Sequence, residues 1–300
     1  MNDEQIDAAL LEALMQDGRI SGSELTRRIA APPTRVRARL LALLDREHMR
    51  VTAFVDPALI GRPLVAMLEI TTAAASELAG WLPAIEEVAW CAHCRSGRVY
   101  AQVSVGSAPD LLAVLQRIRG LPGVSRVGTN LIVRGLSRPV GHASDARPFA
   151  FVGAATVPHD DTDLIIIRAL QLDGRTPFRH LADLTALSIP AVRQRYRRLV
   201  SSGALSVVAR PLPALLGRDT CAHLVATVDG PTTGLAESLA EIPDVTFVAE
   251  TAGDADIMLE IAAVDESSLQ HRVARVRALM PGSTLRVDQH VEVRATRANF

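Results

Sequence analysis

The sequence predicts an α+β protein that is internally duplicated, and three observations carry the prediction. A shift of 156 residues lays Asp7 on Asp163, Leu10 on Ile166, Leu14 on Leu170 and Asp17-Gly18-Arg19 on Asp173-Gly174-Arg175. The same register pairs Leu25 with Leu181, Val36 with Val192, Arg37 with Arg193, Arg39 with Arg195, Val51 with Val207 and Gly61 with Gly217, which is how a repeated architecture announces itself. Each half opens with helical periodicity, carried by Ile6, Leu10, Leu11 and Leu14 and by their partners Thr162, Ile166, Ile167 and Leu170. Each half then passes to short apolar runs separated by two helical stretches, in the order βαββαβ.

The elements follow in order. The first helix of each half ends at Gly18 or Gly174, where a glycine is expected as a C-terminal cap of positive φ. A second helix is predicted over "SGSELTRRIA" and "TPFRHLADLTA", with Thr176 as N-cap ahead of a first-turn proline, Pro177. A third, over "LSIPAVRQRYRRLVSSG", takes Ser188 as cap, turns Val192, Tyr196 and Leu199 inward and stops at Gly203. Three short helices with a tight break before the last are the pattern of a helix-turn-helix. "MRVTAFVD" and "LSVVARPL" read as strands that close a wing or lead outward.

Beyond them "PLVAMLEITT", "EEVAWCAHC", "RVYAQVSV" and "SRVGTNLIV" are strands, with "ASELAGWLPAI" and "APDLLAVLQRIRGL" helical between them, and the second half repeats the order. That succession predicts a ferredoxin-like sandwich. The expected division is a winged helix-turn-helix over 1–52 and again over 159–208, and ferredoxin-like domains over 62–136 and 218–295. A Pro-, Gly- and Ala-rich linker spans 137–158, with an apolar "FAFVG" inside it that is suited to packing or pairing.

Bulk properties narrow the function. With 48% hydrophobic residues over 300 positions the chain can bury large cores, and a net charge of −1 means that any polyanion must be met by a local patch. The acidic start has no basic region leading into an apolar one, and no apolar run approaches the roughly 20 residues that span a bilayer. The expectation is a cytoplasmic protein with no membrane partner. Cys91, Cys94 and Cys221 are an odd, sparse set suited to a reducing compartment. Cys91-Ala-His93-Cys94 has the spacing of a thiolate or metal site, but one such pair is short of the four ligands of a closed zinc site. Buried strand cysteines are therefore expected, with no metal and no cofactor.

Positive charge is concentrated on the second and third helices. Residues 186–210 hold five arginines and no acid, and residues 24–50 hold seven arginines against three acids. This is the footprint of a helix laid on a phosphate backbone. The candidate DNA contacts are Thr34, Arg35 and Arg37 in the first copy and Ser188, Pro190, Ala191, Arg193, Gln194, Arg197 and Arg198 in the second, with Gln194 able to make a paired contact to adenine. The plain alternative is a solvated arginine face on a structural helix. Arg39 and Arg195, close to the apolar stripe, stand between a phosphate and an internal carboxylate such as Asp7 or Asp163.

With these pieces in place the chain resembles the leucine-responsive and asparagine-synthesis regulator (Lrp/AsnC) family. The second copy carries "DxxDxxIxxxLxxDGR" as Asp160 to Arg175, "LSxxxVxxRxxxL" as Leu187 to Leu199, Gly203, Leu215-x-Gly217, and a "GxxD" turn as Gly253 to Asp256. The resemblance implies a sequence-specific regulator of transcription on double-stranded DNA. It also implies a sensor module that dimerises through its sheet, self-associates into dimers or higher oligomers, and takes an amino acid or related metabolite. It places the effector at Thr251, Gly253, Asp254 and Asp256, where the alternative is a merely polar turn.

The first copy departs from the pattern: Ala31-Pro32 replace Leu187-Ser188, Glu47 replaces Gly203, and Gly97-Arg98-Val99-Tyr100 replace Gly253 to Asp256. Thr34 is its alternative cap. Siroheme decarboxylases look like the same family in paired or fused halves, so an enzyme of that kind is the alternative function. It would need histidines around a tetrapyrrole, and here only His93 and His223 fall on predicted sandwich strands near the core. A module that has lost DNA contact and acts by oligomerisation alone is a third reading. The expectation is a regulator without catalytic residues.

Overall fold

The structure, a computed structural model, describes residues 1–44, 49–137, 149–151, 158–211 and 213–295. In chain order the first copy runs α1 (Asp3–Gln16), α2 (Gly22–Arg28), α3 (Pro33–Leu44), β1 (Met49–Val55), β2 (Leu64–Thr72), α4 (Ala75–Trp81), β3 (Val88–Cys94), β4 (Arg98–Val105), α5 (Ala108–Arg119) and β5 (Val124–Ser137). A short β6 (Phe149–Phe151) follows. The second copy runs α6 (Asp161–Leu172), α7 (Phe178–Thr185), α8 (Ile189–Ser201), β7 (Leu205–Pro211), β8 (Thr220–Thr227), α9 (Leu235–Ala240), β9 (Val245–Ala252), β10 (Ile257–Ala263), α10 (Glu266–Leu279) and β11 (Thr284–Ala295). Of the expected linker, 138–148 and 152–157 lie outside the described residues, while β6 pairs with β5 at Gly135 to Ser137. Glu47 also lies outside them.

The elements fall into two compact units, one built from α1–α3, α6–α8, β1 and β7, the other from the remaining strands and helices. In the first, both opening helices are nucleated by capping boxes, Asn2 with Gln5 and Asp160 with Asp163. Ile6, Leu10, Leu14 and Leu25 are fully buried in one head, as are Ile166, Ile167, Leu170, Val192 and Leu199 in the other. Ser188 caps α8 by accepting from the Ala191 N–H at 3.3 Å. Thr34 caps nothing, since α3 already begins at Pro33 and the Pro32 carbonyl takes the first turn's N–H groups. Thr176 is not a cap either: its hydroxyl donates back to the Asp173 carbonyl at 2.6 Å, and α7 starts after Pro177 without a side-chain cap.

The strands expected to close a wing or lead outward also join the two heads. β1 and β7 pair antiparallel with each other, Thr52 opposite Val208. Those two residues are 156 apart, so the ribbon's centre is a pseudo-twofold axis relating the heads. Gly18 and Gly174 serve this junction. Neither has positive φ. The Gly18 N–H donates to the Val207 carbonyl at 2.8 Å and the Gly174 N–H to the Val51 carbonyl at 2.9 Å, each reaching the other copy's strand. A Cβ on Gly174 would stand 2.8 Å from Val207 Cγ1 and 2.9 Å from the Val51 carbonyl carbon. The glycine is required by close approach, and the cap reading is corrected accordingly.

In the second unit each sandwich has the ferredoxin-like strand order, β3-β4-β2-β5 in the first copy and β9-β10-β8-β11 in the second. The free edges join across the copies, β3 to β11 and β5 to β9, and with the β2–β5 pairing this closes an eight-stranded barrel. Closure removes the exposed edges. Along β4, Val99, Ala101 and Val103 pack under the helices, while Tyr100, Gln102 and Ser104 alternate onto the barrel's inner face. Cys91 joins the outer core and Cys94 the inner one, so the two thiols do not converge, and burial pushes each up to about 12.

Candidate nucleic-acid interface

α8 presents Pro190, Arg193, Gln194 and Arg197 along one exposed face, at the i, i+3, i+4, i+7 spacing of a single helical stripe. Ala191 is half-buried, and the Ser188 hydroxyl is engaged as the cap. Among the described residues Arg193 and Arg197 make no ion pair; Arg193 lies 5.0 Å from the Phe178 ring centroid. Arg198 differs from the other candidates. It is ion-paired to Asp163, a carboxylate with no exposed surface that also takes Arg195 at 3.1 Å. Arg195 reaches Asp160 at 2.8 Å as well. In the first copy Arg39 pairs with Asp7. The internal-carboxylate alternative thus describes Arg39 and Arg195, and extends to Arg198.

The matching stripe on α3 is Thr34, Arg37, Ala38 and Leu41, all exposed. Arg35 turns away from it, donating to Asp3 at 2.9 Å and to the Met1 carbonyl at 3.2 Å. Of its three sequence candidates, then, Thr34 and Arg37 are brought together and Arg35 is held by the head's own first helix. Both bear on a helix whose Val36, Leu40 and Leu43 are buried, as Val192 and Leu199 are in α8.

Sequence reasoning missed Arg19 and Arg175. From the recurring turn, Arg19 donates through Nη1 to the Gly174 carbonyl at 2.5 Å and through Nη2 to the Thr176 carbonyl at 2.8 Å. Arg175 returns the contact to the Gly18 carbonyl at 2.5 Å and the Ile20 carbonyl at 3.4 Å. Burial lowers the pKa of both, Arg19 against its Tyr196 neighbour and Arg175 against Asp17 and Asp173. The signal that could have found them is the arginine after the glycine in both copies.

At the "GxxD" turn between β9 and β10, two of the four named side chains are committed to the turn itself. Thr251 Oγ1 donates to the Ala255 carbonyl at 2.6 Å, and the Asp256 carboxylate accepts the Val228 N–H at 2.8 Å. Gly253 abuts β5, where a Cβ would meet Asn130 Oδ1 at 2.6 Å and the Thr129 carbonyl at 2.7 Å. Asn130 in turn accepts the Ala255 N–H at 2.9 Å. Asp254 alone projects, in an exposed ion pair with Arg126 at 3.1 Å. Arg126 and Asn130 belong to the other copy and could not be placed from local sequence.

The corresponding turn of the first copy is closed by charge. Tyr100 donates to Asp288 at 2.5 Å, Arg98 pairs with Glu69 at 3.1 Å, and Arg286 pairs with Glu69 and with Asp288 at 3.3 Å. Deeper in the barrel, His223 sits 4.4 Å from the Tyr100 ring and 6.0 Å from Trp90, and His290 lies 5.8 Å from Trp90. His290, on β11, therefore joins His223 there in place of His93. Burial holds His223 well below the usual imidazole range and His290 down at about 4.

Comparison with known proteins bears on this geometry. Residues 160–200 match an AsnC-type helix-turn-helix domain, and residues 3–47 match a winged helix-turn-helix DNA-binding model. The chain is similar to the HTH-type transcriptional regulator FL11 of Pyrococcus horikoshii, 32% identical over 117 residues that make 38% of this chain and 78% of that one. It is similar also to the transcriptional regulator LrpA of Mycobacterium tuberculosis, 31% identical over 121 residues, 39% of this chain and 81% of that one. Each relative thus spans less than half of the duplicated chain. The crystal structure of the siroheme decarboxylase NirDL, in complex with an iron-uroporphyrin III analogue, covers all of this chain and 94% of its own with a TM-score of 0.63. At 12% identity that likeness is one of fold. Among the described residues, no helix is long and apolar enough to cross a membrane.

Proposed function

The chain belongs to the Lrp/AsnC family of helix-turn-helix transcriptional regulators, and on that premise we propose that it reads double-stranded DNA with α8 and senses a small zwitterion at the Gly253 to Asp256 turn. The observation that carries the DNA reading is the exposed stripe of Pro190, Arg193, Gln194 and Arg197 on a capped third helix, two of whose cations have no internal carboxylate partner among the described residues. Gln194 is the base reader and Arg193 and Arg197 hold phosphate. Arg198, committed to Asp163, contributes structure and not contact.

Two heads on one pseudo-twofold ribbon call for two half-sites, about one turn of ~10 base pairs or a multiple apart. The half-sites are unequal, because Gln194 and Arg197 correspond to Ala38 and Leu41. Fusion keeps the heads paired whatever the concentration, and further self-association through the sandwich unit follows the family pattern. The protein acts in the cytoplasm, as a regulator and not as an enzyme.

At the effector turn, Asp254 and Arg126 offer a carboxylate for an ammonium group and a guanidinium for a carboxylate. An amino acid is the simplest molecule that carries both. The first copy's turn is filled by an ion network that Arg286 and Asp288 of β11 complete, so one effector per chain is expected.

The test is a gel-shift titration over a salt series, on a duplex selected from a random-sequence pool by the unaltered chain. Arg193→Ala with Arg197→Ala should weaken binding to all sequences and lower the salt slope by ~2, at about 0.9 per phosphate contact. Gln194→Ala should relax base preference with the slope kept. If none of these changes moves the titration, α8 is not the reading helix. A thermal-shift screen of free amino acids against the chain and against Asp254→Asn tests the effector turn.

A further inference from the structure

The strongest unassigned feature is the one-sided use of the recurring turn. Both turns grip each other's backbone, but among the described residues one alone touches aromatic rings. The Arg19 guanidinium lies 4.4 Å from the Phe178 centroid and 5.3 Å from the Tyr196 centroid. Phe178 meets Tyr196 edge-on, centroids 5.5 Å apart at 73°. Phe178 opens α7 and Tyr196 sits in the middle of α8, so this aromatic pair sets how the reading helix packs on its neighbour. Arg193, in the exposed stripe, rests on the same Phe178 ring at 5.0 Å. A chain of contacts therefore runs from the first copy's turn, through Phe178, to a side chain aimed at DNA.

Among the described residues it has no mirror in the other direction. The positions equivalent to Phe178 and Tyr196 are Gly22 and Leu40, so among the described residues Arg175 finds carbonyls but no ring, and Arg37 has no ring to rest on. A Cβ added at Gly22 would meet nothing within 4 Å, which leaves that side open.

We infer that Arg19 of the first copy is a positioning residue for the second copy's reading helix, holding Phe178 and Tyr196 so that Arg193 and Gln194 present in register. The inference rests on the DNA reading proposed above. Its chemistry is specific to arginine: the fork spans two carbonyls while the flat face stacks, and lysine can do neither together. The first head thus contributes to sequence reading in trans, whether or not its own helix reads bases.

The experiment uses the full chain and measures the ratio of affinities for the selected duplex and for an unrelated duplex of equal length. Arg19→Lys should lower that ratio by about tenfold, the size of a stacked cation with its hydrogen bonds. The loss should fall on the base positions that Gln194→Ala relaxes. Binding to the unrelated duplex and the salt slope should stay unchanged, because the charge is kept. Phe178→Leu should give the same loss, and the double variant no more than either alone. Arg175→Lys should leave the ratio at its original value. Equal losses from Arg19→Lys and Arg175→Lys, additive losses with Phe178→Leu, or a loss that tracks a fall in melting temperature would each overturn the assignment. So would an unaltered ratio in Arg19→Lys where the Arg193→Ala and Arg197→Ala pair still weakens binding; if that pair also does nothing, the DNA reading itself is refuted and the assignment with it.

Discussion

Gly174→Ala separates two explanations of the recurring turn. If the glycine were a helix cap of positive φ, asparagine, which tolerates that conformation, would be milder than alanine. The observed contacts demand the reverse. An alanine Cβ would lie 2.8 Å from Val207 Cγ1, 2.9 Å from the Val51 carbonyl carbon and 3.0 Å from the Thr52 nitrogen. Two of these are backbone atoms of the paired ribbon and cannot swing aside. Overpacking of this kind costs typically 1–3 kcal/mol, and the displaced strand also strains the 2.9 Å bond from the Gly174 N–H. About 3 kcal/mol of destabilisation is therefore expected for alanine, and more for asparagine. The chain's two tryptophans, Trp81 and Trp90, both lie in the sandwich unit. Urea unfolding followed by helical circular dichroism should show the head unit melting earlier, while the tryptophan transition stays in place. A Gly174→Asn variant as stable as the original chain would refute the close-approach explanation.

Other outcomes follow from buried charge. Because the folded pKa values of His223 and His290 lie below the free imidazole value near 6.5, the unfolded chain binds more protons between that pH and the folded values. Stability of the sandwich unit is complete above pH ~6.5 and falls as the solution is acidified, by about 2 kcal/mol at pH 5 for His290 alone. Tryptophan-monitored urea titrations at pH 7.5 and 5 should show the drop, and His290→Leu should remove the His290 share of it and leave that of His223. Asp163→Asn removes the carboxylate shared by Arg195 and Arg198 and should cost the head unit about 2 kcal/mol, discounted because both arginines are partly exposed; an unchanged unfolding midpoint would show that solvent already screens the cluster.

Much of this architecture was legible because it is local. The cap Ser188, the helical periodicity of Ile6, Leu10 and Leu14 and of Ile166 and Leu170, and the inward Val192 and Leu199 all act through neighbours within a few residues. What escaped depends on contacts between the copies. Gly174 looked like a cap because a glycine after a helix is usually one, whereas here the deciding atoms belong to Val51 and Thr52, more than a hundred residues away. Gln102, Ser104 and His223 would pass for the solvent face of an antiparallel sheet, and only the joining of β3 to β11 and β5 to β9 puts them inside. Arg126 and Asn130 reach the Gly253 to Asp256 turn by the same joining. His290 was overlooked because β11 had to be placed beside β8 before its inward side was known.

The comparison of the copies then says which positions are free to differ. Gly18 is pressed against Val207 and Val208, and Gly174 against Val51 and Thr52, so each turn is constrained by the other copy's strand. The stripe residues Thr34, Ala38 and Leu41 are exposed, Leu41 at 58%. On the proposed DNA reading, their divergence from Pro190, Gln194 and Arg197 alters the first head's binding face and leaves its fold in place. Ala38→Gln with Leu41→Arg should accordingly leave the melting temperature within about 1 °C, since surface changes are usually within ±0.5 kcal/mol. The added cation should steepen the salt slope by ~0.9 for one new phosphate contact. Repeating the selection with this variant should then recover duplexes whose two half-sites are more alike. An unchanged slope and an unchanged selected site would mean that α3 does not face DNA, and that the first head's contribution is confined to Arg19 and the ribbon.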